Sequence, residues 1–299
     1  MSNTYDDSFG HFPIRRRAAR AGGAGAFTLL EVLIVVGIIA LLATILLTAI
    51  SKARDSSRRV SCFNNLQNIA RAIISYTADN ENAFPASASA AMPNDADWVW
   101  WQTTRIDQIG AHGIGKLLGN LDGKSATGLA SLRCPSDARL INGGYLDAAP
   151  NAGPQGYPFS YVINGLMCAG VPDFGANRPA NLPNNPGVRS INAVKEAANK
   201  ILVYEEDSRT IDDGNGILIP NNEYTNLISI RHDGFEGMDK TDAKDPVKAT
   251  VGPNQLIISN AGKMGNVAFC DGHAEAVTRT FAHSKDHWAP DAALFDKFP

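Results

Sequence analysis

The sequence lacks an excess of charge of either sign. Its 299 residues carry 27 Lys and Arg against 30 Asp and Glu, which gives a formal net charge of −3. Nucleic-acid-binding domains concentrate basic residues on one surface, so this balance argues against nucleic acid as a partner. The sequence also has no Ser-containing nucleophile elbow and no His-Glu-x-x-His motif. We therefore expect that the protein is not an enzyme.

Cysteine is scarce, and its spacing excludes the usual small zinc motifs. The four cysteines are Cys62, Cys134, Cys168 and Cys270, and no two of them form a Cys-x-x-Cys pair. In an exported domain, four cysteines allow three disulfide connectivities. Cys134 and Cys168 lie in neighbouring loops rich in Pro and Gly, and they are the pair that we expect. Four buried free thiols are the alternative.

Charge is almost absent from Phe27–Ile50, where Glu31 is the single formal charge. As a helix, this stretch would be roughly 36 Å long, which is enough to cross a hydrocarbon core of about 30 Å. Small residues and arginines precede it, whereas a secretory signal peptide has its small residues after the apolar region. We expect a single membrane-spanning helix that stays in the mature protein.

Proline and glycine are missing from Ser51–Asn80, and apolar residues recur there at helical spacing. The pattern predicts one helix from about Phe27 to about Thr77. Its first half would lie in lipid, and its second half would pack on a domain.

Glu31 is unusual because a charge inside a membrane costs about 2.5–3.5 kcal/mol and usually has a polar partner. If the chain is cut before Phe27, the new α-amino group lies four residues from Glu31. We expect Glu31 to pair with that amine in a neighbouring subunit. The alternative is that Glu31 reaches the membrane interface.

Four features follow one another at the N-terminus: a basic leader, the small residue Ala26, the run Phe27-Thr28-Leu29-x-Glu31 and the apolar stretch. This order resembles the N-terminal signature of type IV prepilins and type II secretion pseudopilins. The resemblance implies a prepilin peptidase that cuts between Ala26 and Phe27 and methylates the new amine. It also implies that Glu31 is needed for assembly. The family normally has Gly before the cut, where this chain has Ala26.

The resemblance further implies the partners and the location. The partners would be other pilin-like subunits, an inner-membrane assembly platform and the lipid of a bacterial inner membrane. The protein would cross that membrane once, with its N-terminus in the cytoplasm and its C-terminal domain in the periplasm or in a filament.

The C-terminal third has the pattern of strands, at Ile201–Tyr204, Asn226–Ile230, Asn266–Cys270 and Ala274–Val277. Asp271-Gly272 predicts a two-residue type I′ hairpin turn between the last two strands. We predict a pilin-like α+β fold, in which a long N-terminal helix packs on a C-terminal antiparallel sheet. The expected divisions are a cytoplasmic leader at 1–26, the helix at 27–80 with its membrane part at 27–50, and a loop-rich domain at 81–299 with its sheet within 200–280.

Several short motifs resemble a subgroup of these proteins whose C-terminal end carries a His, nine residues and then Asp-Gly. They are Cys134-Pro-Ser-Asp137, Phe159–Asn164, Arg231-His232 and Asp271-Gly272-His273. Here 38 residues separate His232 from Asp271. We expect the Asp271 side chain to bond the turn backbone and His232 to bond across to that turn. The alternative is a metal held by His232, Asp271 and His273.

Two further features of the sequence bear on which ligands the protein binds. The stretch between His232 and Asp271 contains Asp233, Glu236, Asp239, Asp242 and Asp245, whose oxygens suit calcium; no other cofactor is expected. Trp98, Trp100 and Trp101 indicate core packing, with a glycan-binding surface as the alternative. The function predicted is a structural subunit of a type II secretion pseudopilus or type IV pilus-like filament. The alternative is a membrane-anchored, exported protein that binds a ligand, a glycan or a metal.

Overall fold

The structure is a computed structural model. It describes residues 28–89, 93–101, 105–118, 130–137, 157–168, 189–207, 210–211, 213–218, 226–233, 249–251, 256–258 and 260–295. Among these residues, the α-helices are α1 (Leu29–Asp79), α2 (Gly115–Leu118), α3 (Arg279–Ala282) and α4 (Lys285–Trp288). The leader, Ala26 and Phe27 lie outside the described residues.

The chain divides into two compact units, Met1–Ile50 and Ser51–Pro299, and the division falls within α1. In the first unit, the apolar side chains of α1 are exposed around the whole helix, among them Leu33, Ile39 and Leu46. A helix that is apolar all round suits lipid. The helix is long and apolar enough to cross a membrane, and none of its most apolar window is buried within the protein.

In the second unit, α1 buries one stripe of side chains. The stripe recurs at the three- and four-residue steps that bring side chains to one helix face, and it contains Cys62, Leu66, Ile69, Ala70, Ala72, Ile73 and Thr77. After Asp79 the helix ends in a turn in which Glu81 and Asn82 have positive φ angles of 54° and 64°.

A five-stranded sheet forms the centre of the second unit. Its strands are β1 (Tyr161–Asn164), β2 (Ile201–Glu205), β3 (Asn215–Gly216), β6 (Met264–Phe269) and β7 (Ala274–Thr278). The order is β3-β1-β2-β6-β7. The pairs β1–β2, β2–β6 and β6–β7 are antiparallel, whereas the short edge strand β3 is parallel to β1. Two further strands, β4 (Ala249–Val251) and β5 (Leu256–Ile258), form a separate antiparallel pair. The predicted α+β class is confirmed.

The predicted strand at 226–230 is wrong. This segment makes one isolated antiparallel bridge, between Ile228 and Glu206. The Ile228 carbonyl oxygen accepts a hydrogen bond from Arg279 Nε at 2.9 Å. The backbone hydrogen bonds beside the bridge run from the Asp207 N–H to the Leu227 carbonyl oxygen and from the Ser229 N–H to the Glu205 carbonyl oxygen. The pairing does not extend into a ladder, because β2 is already paired with β1 on one side and with β6 on the other.

The three tryptophans belong to the core. Trp98, Trp100 and Trp101 are each at most 7 % exposed. Trp98 Nε1 donates to the Gly214 carbonyl oxygen, and Trp101 Nε1 donates to that of Ala88. Trp100 stacks on the His112 ring at 3.7 Å between centroids. The rings are therefore packed against protein and do not form an exposed platform for sugar.

Candidate functional sites

A buried carboxylate, Glu205, lies at the end of β2 and gathers polar side chains around it. Arg231 Nη1 donates to Glu205 Oε1 at 2.9 Å. Asn266 Nδ2 donates to Glu205 Oε2 at 3.1 Å. His232 Nε2 lies 3.3 Å from the same Oε2. Glu205 has no solvent exposure, and a buried charge requires such partners because it has lost its hydration.

A second carboxylate, that of Asp137, faces the same guanidinium. Arg231 Nη1 lies 3.4 Å from Asp137 Oδ2, and Arg231 Nη2 donates to the Glu206 carbonyl oxygen at 2.8 Å. Ser160 Oγ donates to Asp137 Oδ2 at 2.6 Å and accepts from the Cys134 backbone N–H at 3.0 Å. The planar fork of arginine suits this role, since its fixed N–H groups can serve several acceptors at once.

Three of the four motifs, those at 134–137, 159–164 and 231–232, thus meet in one place. We call this group the Glu205 cluster: Cys62, Cys134, Asp137, Ser160, Glu205, Arg231, His232 and Asn266. Sequence reasoning singled out His232 but missed Glu205. The run Glu205-Glu206-Asp207 directly follows four apolar strand residues and does not by itself indicate burial, yet each of these acids is buried.

The disulfide that was expected between Cys134 and Cys168 is wrong. Cys134 is bonded to Cys62 of α1, with 4.7 Å between their Cα atoms, and Cys168 is a buried free thiol. Asn65 Nδ2 donates to the carbonyl oxygens of Ala130 and Arg133, which holds the loop before Cys134 against α1. Contacts between distant segments therefore decide the pairing, which proximity along the sequence does not predict.

The two remaining cysteines, Cys168 and Cys270, are free and buried. Burial raises the pKa of both thiols, because a thiolate would lose its hydration there. Both therefore stay protonated and unreactive at neutral pH.

His232 contacts the disulfide as well as Glu205. Its Nε2 lies 3.3 Å from Cys134 Sγ. The sulfur atoms of Cys62 and Cys134, one Glu205 oxygen and one His232 nitrogen all lie within 4.8 Å of one another. These are donor types that zinc takes in proteins.

The Asp271-Gly272-His273 turn lies elsewhere, against α1. Gly272 has a φ of +90°, and a Cβ at this position would come 3.2 Å from Ile74 Cδ1. A pocket beside the turn, of about 360 Å³, is lined by Gln67, Arg71 and Ile74 of α1. The expectation that His232 bonds across to this turn is wrong, because His232 contacts Glu205 and Cys134.

Within the turn, Asp271 Oδ1 accepts the His273 backbone N–H at 3.0 Å and lies 2.5 Å from His273 Nδ1. Partial burial raises the pKa of Asp271, but these hydrogen bonds outweigh it, and the net pKa lies below the ordinary value. The predicted type I′ turn is wrong. Gly272 alone has positive φ, the Gly272 N–H donates to the Phe269 carbonyl, and the Phe269 N–H donates to the His273 carbonyl. This pattern is the three-residue loop with a glycine bulge.

At the start of α1, Glu31 caps its own helix. The Thr28 backbone N–H and Oγ1 both donate to Glu31 Oε2 at 2.9 Å, and the Glu31 N–H donates to Thr28 Oγ1 at 3.2 Å. This reciprocal arrangement is a capping box, which satisfies N–H groups that have no partner within the helix. The carboxylate therefore has a polar partner in its own chain.

Of the acids between His232 and Asp271, Asp233 lies within the described residues. Asp233 Oδ2 accepts the Met264 backbone N–H at 2.9 Å, and the Asp233 carbonyl accepts from Lys263 Nζ at 2.8 Å. The suggestion of calcium also rested on four other acids, which lie outside the described residues: Glu236, Asp239, Asp242 and Asp245.

Comparison with known proteins gives one family. No curated protein and no solved structure matches the chain. A family described as "Protein of unknown function (DUF1559)" matches residues 51–283, which is more than half of the chain and begins where the second compact unit begins. The chain therefore belongs to the DUF1559 family.

Proposed function

We propose that this protein is a structural, pilin-like subunit that assembles through α1 into a type II secretion pseudopilus or a type IV pilus-like filament. The observation that carries the proposal is the exposed apolar half of α1, which begins at the Thr28–Glu31 capping box and precedes the unit matched by the family. Membership of this family favours an exported, pilin-like protein. We propose no catalytic role.

The proposal includes processing of the N-terminus. A prepilin peptidase would cut between Ala26 and Phe27 and methylate the amine of Phe27. Thr28, which donates to Glu31 through its backbone N–H, would then be the second residue of the mature chain. The positive amine and the Glu31 carboxylate would lie at the same end of α1, where an amine from a neighbouring subunit can also reach the carboxylate.

The disulfide supports the proposed location. Disulfides persist in oxidising compartments such as the bacterial periplasm and are rare in the cytoplasm. The Cys62–Cys134 bond lies in the second unit. We therefore assign that unit to the periplasmic side of a bacterial inner membrane and the N-terminus to the cytoplasm.

The test compares Glu31→Val with Glu31→Gln and the unaltered chain in the native host. Mass spectrometry of the mature N-terminus should find N-methylated Phe27 in all three proteins, and Ala26→Gly should be processed at least as fast. Cross-linking of membranes should give ladders of subunits for the unaltered chain. We expect Glu31→Val to insert but to lose the ladder, because it deletes the partner of the neighbouring amine.

Glu31→Gln separates charge from hydrogen bonding. Its amide oxygen can still accept the hydrogen bonds that Thr28 donates, but the side chain carries no charge that would attract the amine of a neighbouring subunit. If both variants form ladders equal to those of the unaltered chain, the pairing is wrong. A mature N-terminus at Met1 or beyond Ile50 would contradict processing as a prepilin.

A further inference from the structure

The Glu205 cluster contains the donor atoms of a tetrahedral zinc centre, two of whose edges already have the right length. With Zn–S near 2.3 Å and Zn–N and Zn–O near 2.0–2.2 Å, neighbouring ligand atoms of a tetrahedral site lie roughly 3.3–3.8 Å apart. His232 Nε2 lies 3.3 Å from Cys134 Sγ and 3.3 Å from Glu205 Oε2. The same nitrogen thus faces a sulfur and a carboxylate oxygen at tetrahedral spacing.

We propose that the cluster has two exclusive states: a Cys62–Cys134 disulfide, or a dithiolate that binds one Zn²⁺ together with His232 and Glu205. In the disulfide state the sulfur atoms are bonded to each other and are poor ligands. Once that bond is broken, the sulfurs can separate to the roughly 3.8 Å edge of a tetrahedron. This site is independent of the pilin-like function proposed above.

The conversion needs a two-electron reductant, which in the cell would be a dithiol. Two S–H bonds of the reductant break and its own disulfide forms. Its two electrons cleave the Cys62–Cys134 bond, and its two protons yield two thiols. Zinc then binds the two sulfurs as thiolates and releases both protons to solvent, as is usual when zinc replaces thiol protons. A chain that has been exported but not yet oxidised begins in the dithiol state.

The charge of the buried cluster is the same in both states. Opening the disulfide and deprotonating both thiols adds two negative charges, and Zn²⁺ adds two positive charges. The side chains around the site, Asp137, Glu205 and Arg231, keep their mutual contacts. The fold therefore does not have to bury an additional net charge, which is otherwise expensive.

Outer hydrogen bonds orient the carboxylate ligand. Arg231 Nη1 holds Glu205 Oε1, and Asn266 Nδ2 holds Oε2. Partners of this kind fix the orientation of metal ligands and typically change metal affinity by about 10–100-fold. The site also has an entrance: a surface pocket of about 460 Å³ is lined by His232, Arg231, Ser136 and residues of α1.

The experiment uses the full chain in detergent under anaerobic conditions. One sample is kept oxidised, and the other is reduced with a phosphine that is removed by desalting. Each is then titrated with Zn²⁺ against a chromophoric chelator, and bound metal is measured by mass spectrometry. We expect about one Zn²⁺ per reduced chain and none in the oxidised chain. Co²⁺ should give thiolate-to-metal charge-transfer bands in the reduced chain only.

Matched variants separate this site from the other candidates. His232→Ala should weaken zinc binding by the reduced chain by at least about tenfold. Cys168→Ser/Cys270→Ser removes two buried cysteines outside the cluster and should leave binding unchanged. Asp271→Asn/His273→Ala should also leave it unchanged, which excludes the turn as the metal site.

Three results would overturn the proposal: no zinc in the reduced unaltered chain, equal zinc in the oxidised chain, or loss of zinc in the Cys168→Ser/Cys270→Ser variant. The comparison of oxidised with reduced unaltered chain needs no substitution. It therefore decides the question even if His232→Ala does not fold.

Discussion

At the residue scale, the buried carboxylate of Glu205 constrains this fold. Its side chain is inaccessible to solvent, and Arg231 reaches both it and Asp137. The Arg231 side chain is itself only 5 % exposed. Removing one partner of a buried pair leaves an uncompensated charge, whereas removing both is often nearly neutral.

We predict that Arg231→Met lowers the free energy of unfolding by about 3–5 kcal/mol. The double variant Glu205→Gln/Arg231→Met should lose less stability, because the glutamine amide carries no charge that would be left without a partner. Denaturant unfolding of the full chain in detergent measures both values. Equal losses in the single and double variants would show that Arg231 does not act through the charge of Glu205.

Single residues also mark where sequence reasoning reached its limit. The motif residues Asp137, Ser160 and His232 could be picked out from the sequence. Glu205, which contacts His232 and shares Arg231 with Asp137, could not. Three acids directly after an apolar strand indicate an exposed strand end, because acids are rarely buried without partners. The partners come from 231–232 and 266, and only the fold brings them to β2.

At the scale of elements, the local patterns were sufficient for α1, β2, β6 and β7. α1 follows from a long stretch without proline, and β2 from the apolar run that a strand buried on both faces requires. The segment at 226–230 has the same local pattern, yet it forms one bridge because both edges of β2 are already paired, with β1 and with β6. The hairpin turn shows the same limit: Asp-Gly was a sound turn signal, but the loop has three residues.

The tip of the β6–β7 hairpin should be intolerant of a side chain. We predict that Gly272→Ala destabilises the protein by about 1 kcal/mol or more, because an alanine is strained at a φ of +90°. Its Cβ would also come 3.2 Å from Ile74 Cδ1 of α1. Thermal unfolding in detergent measures the loss.

Gly262 provides the matched control for Gly272. A Cβ at Gly262 would meet nothing within 4 Å, and its φ is not positive. Gly262→Ala should leave stability unchanged or raise it slightly, because it reduces the freedom of the unfolded chain. If both substitutions cost the same, neither the positive φ of Gly272 nor the crowding of a Cβ against Ile74 costs stability.

At the scale of the whole molecule, the disulfide joins the part of α1 within the second unit to the loop before β1. The bond closes a loop with a sequence separation of 72 residues. Tyr161 of β1 donates its hydroxyl hydrogen to the Cys62 carbonyl oxygen at 3.2 Å, so the sheet contacts α1 beside the bond. A long closed loop restricts the unfolded chain strongly, which favours the folded state.

We predict that Cys62→Ser/Cys134→Ser lowers the free energy of unfolding by up to about 4 kcal/mol, the entropic contribution expected for a loop of this length. Cys168→Ser is the control: it replaces a buried cysteine that closes no loop, so its effect should not depend on the redox state. Unfolding of the unaltered chain, the double variant and the control is measured with and without a reductant. The reductant should destabilise the unaltered chain and Cys168→Ser by similar amounts. It should not change the free energy of unfolding of Cys62→Ser/Cys134→Ser. Destabilisation of the double variant by the reductant would mean that the relevant bond lies elsewhere.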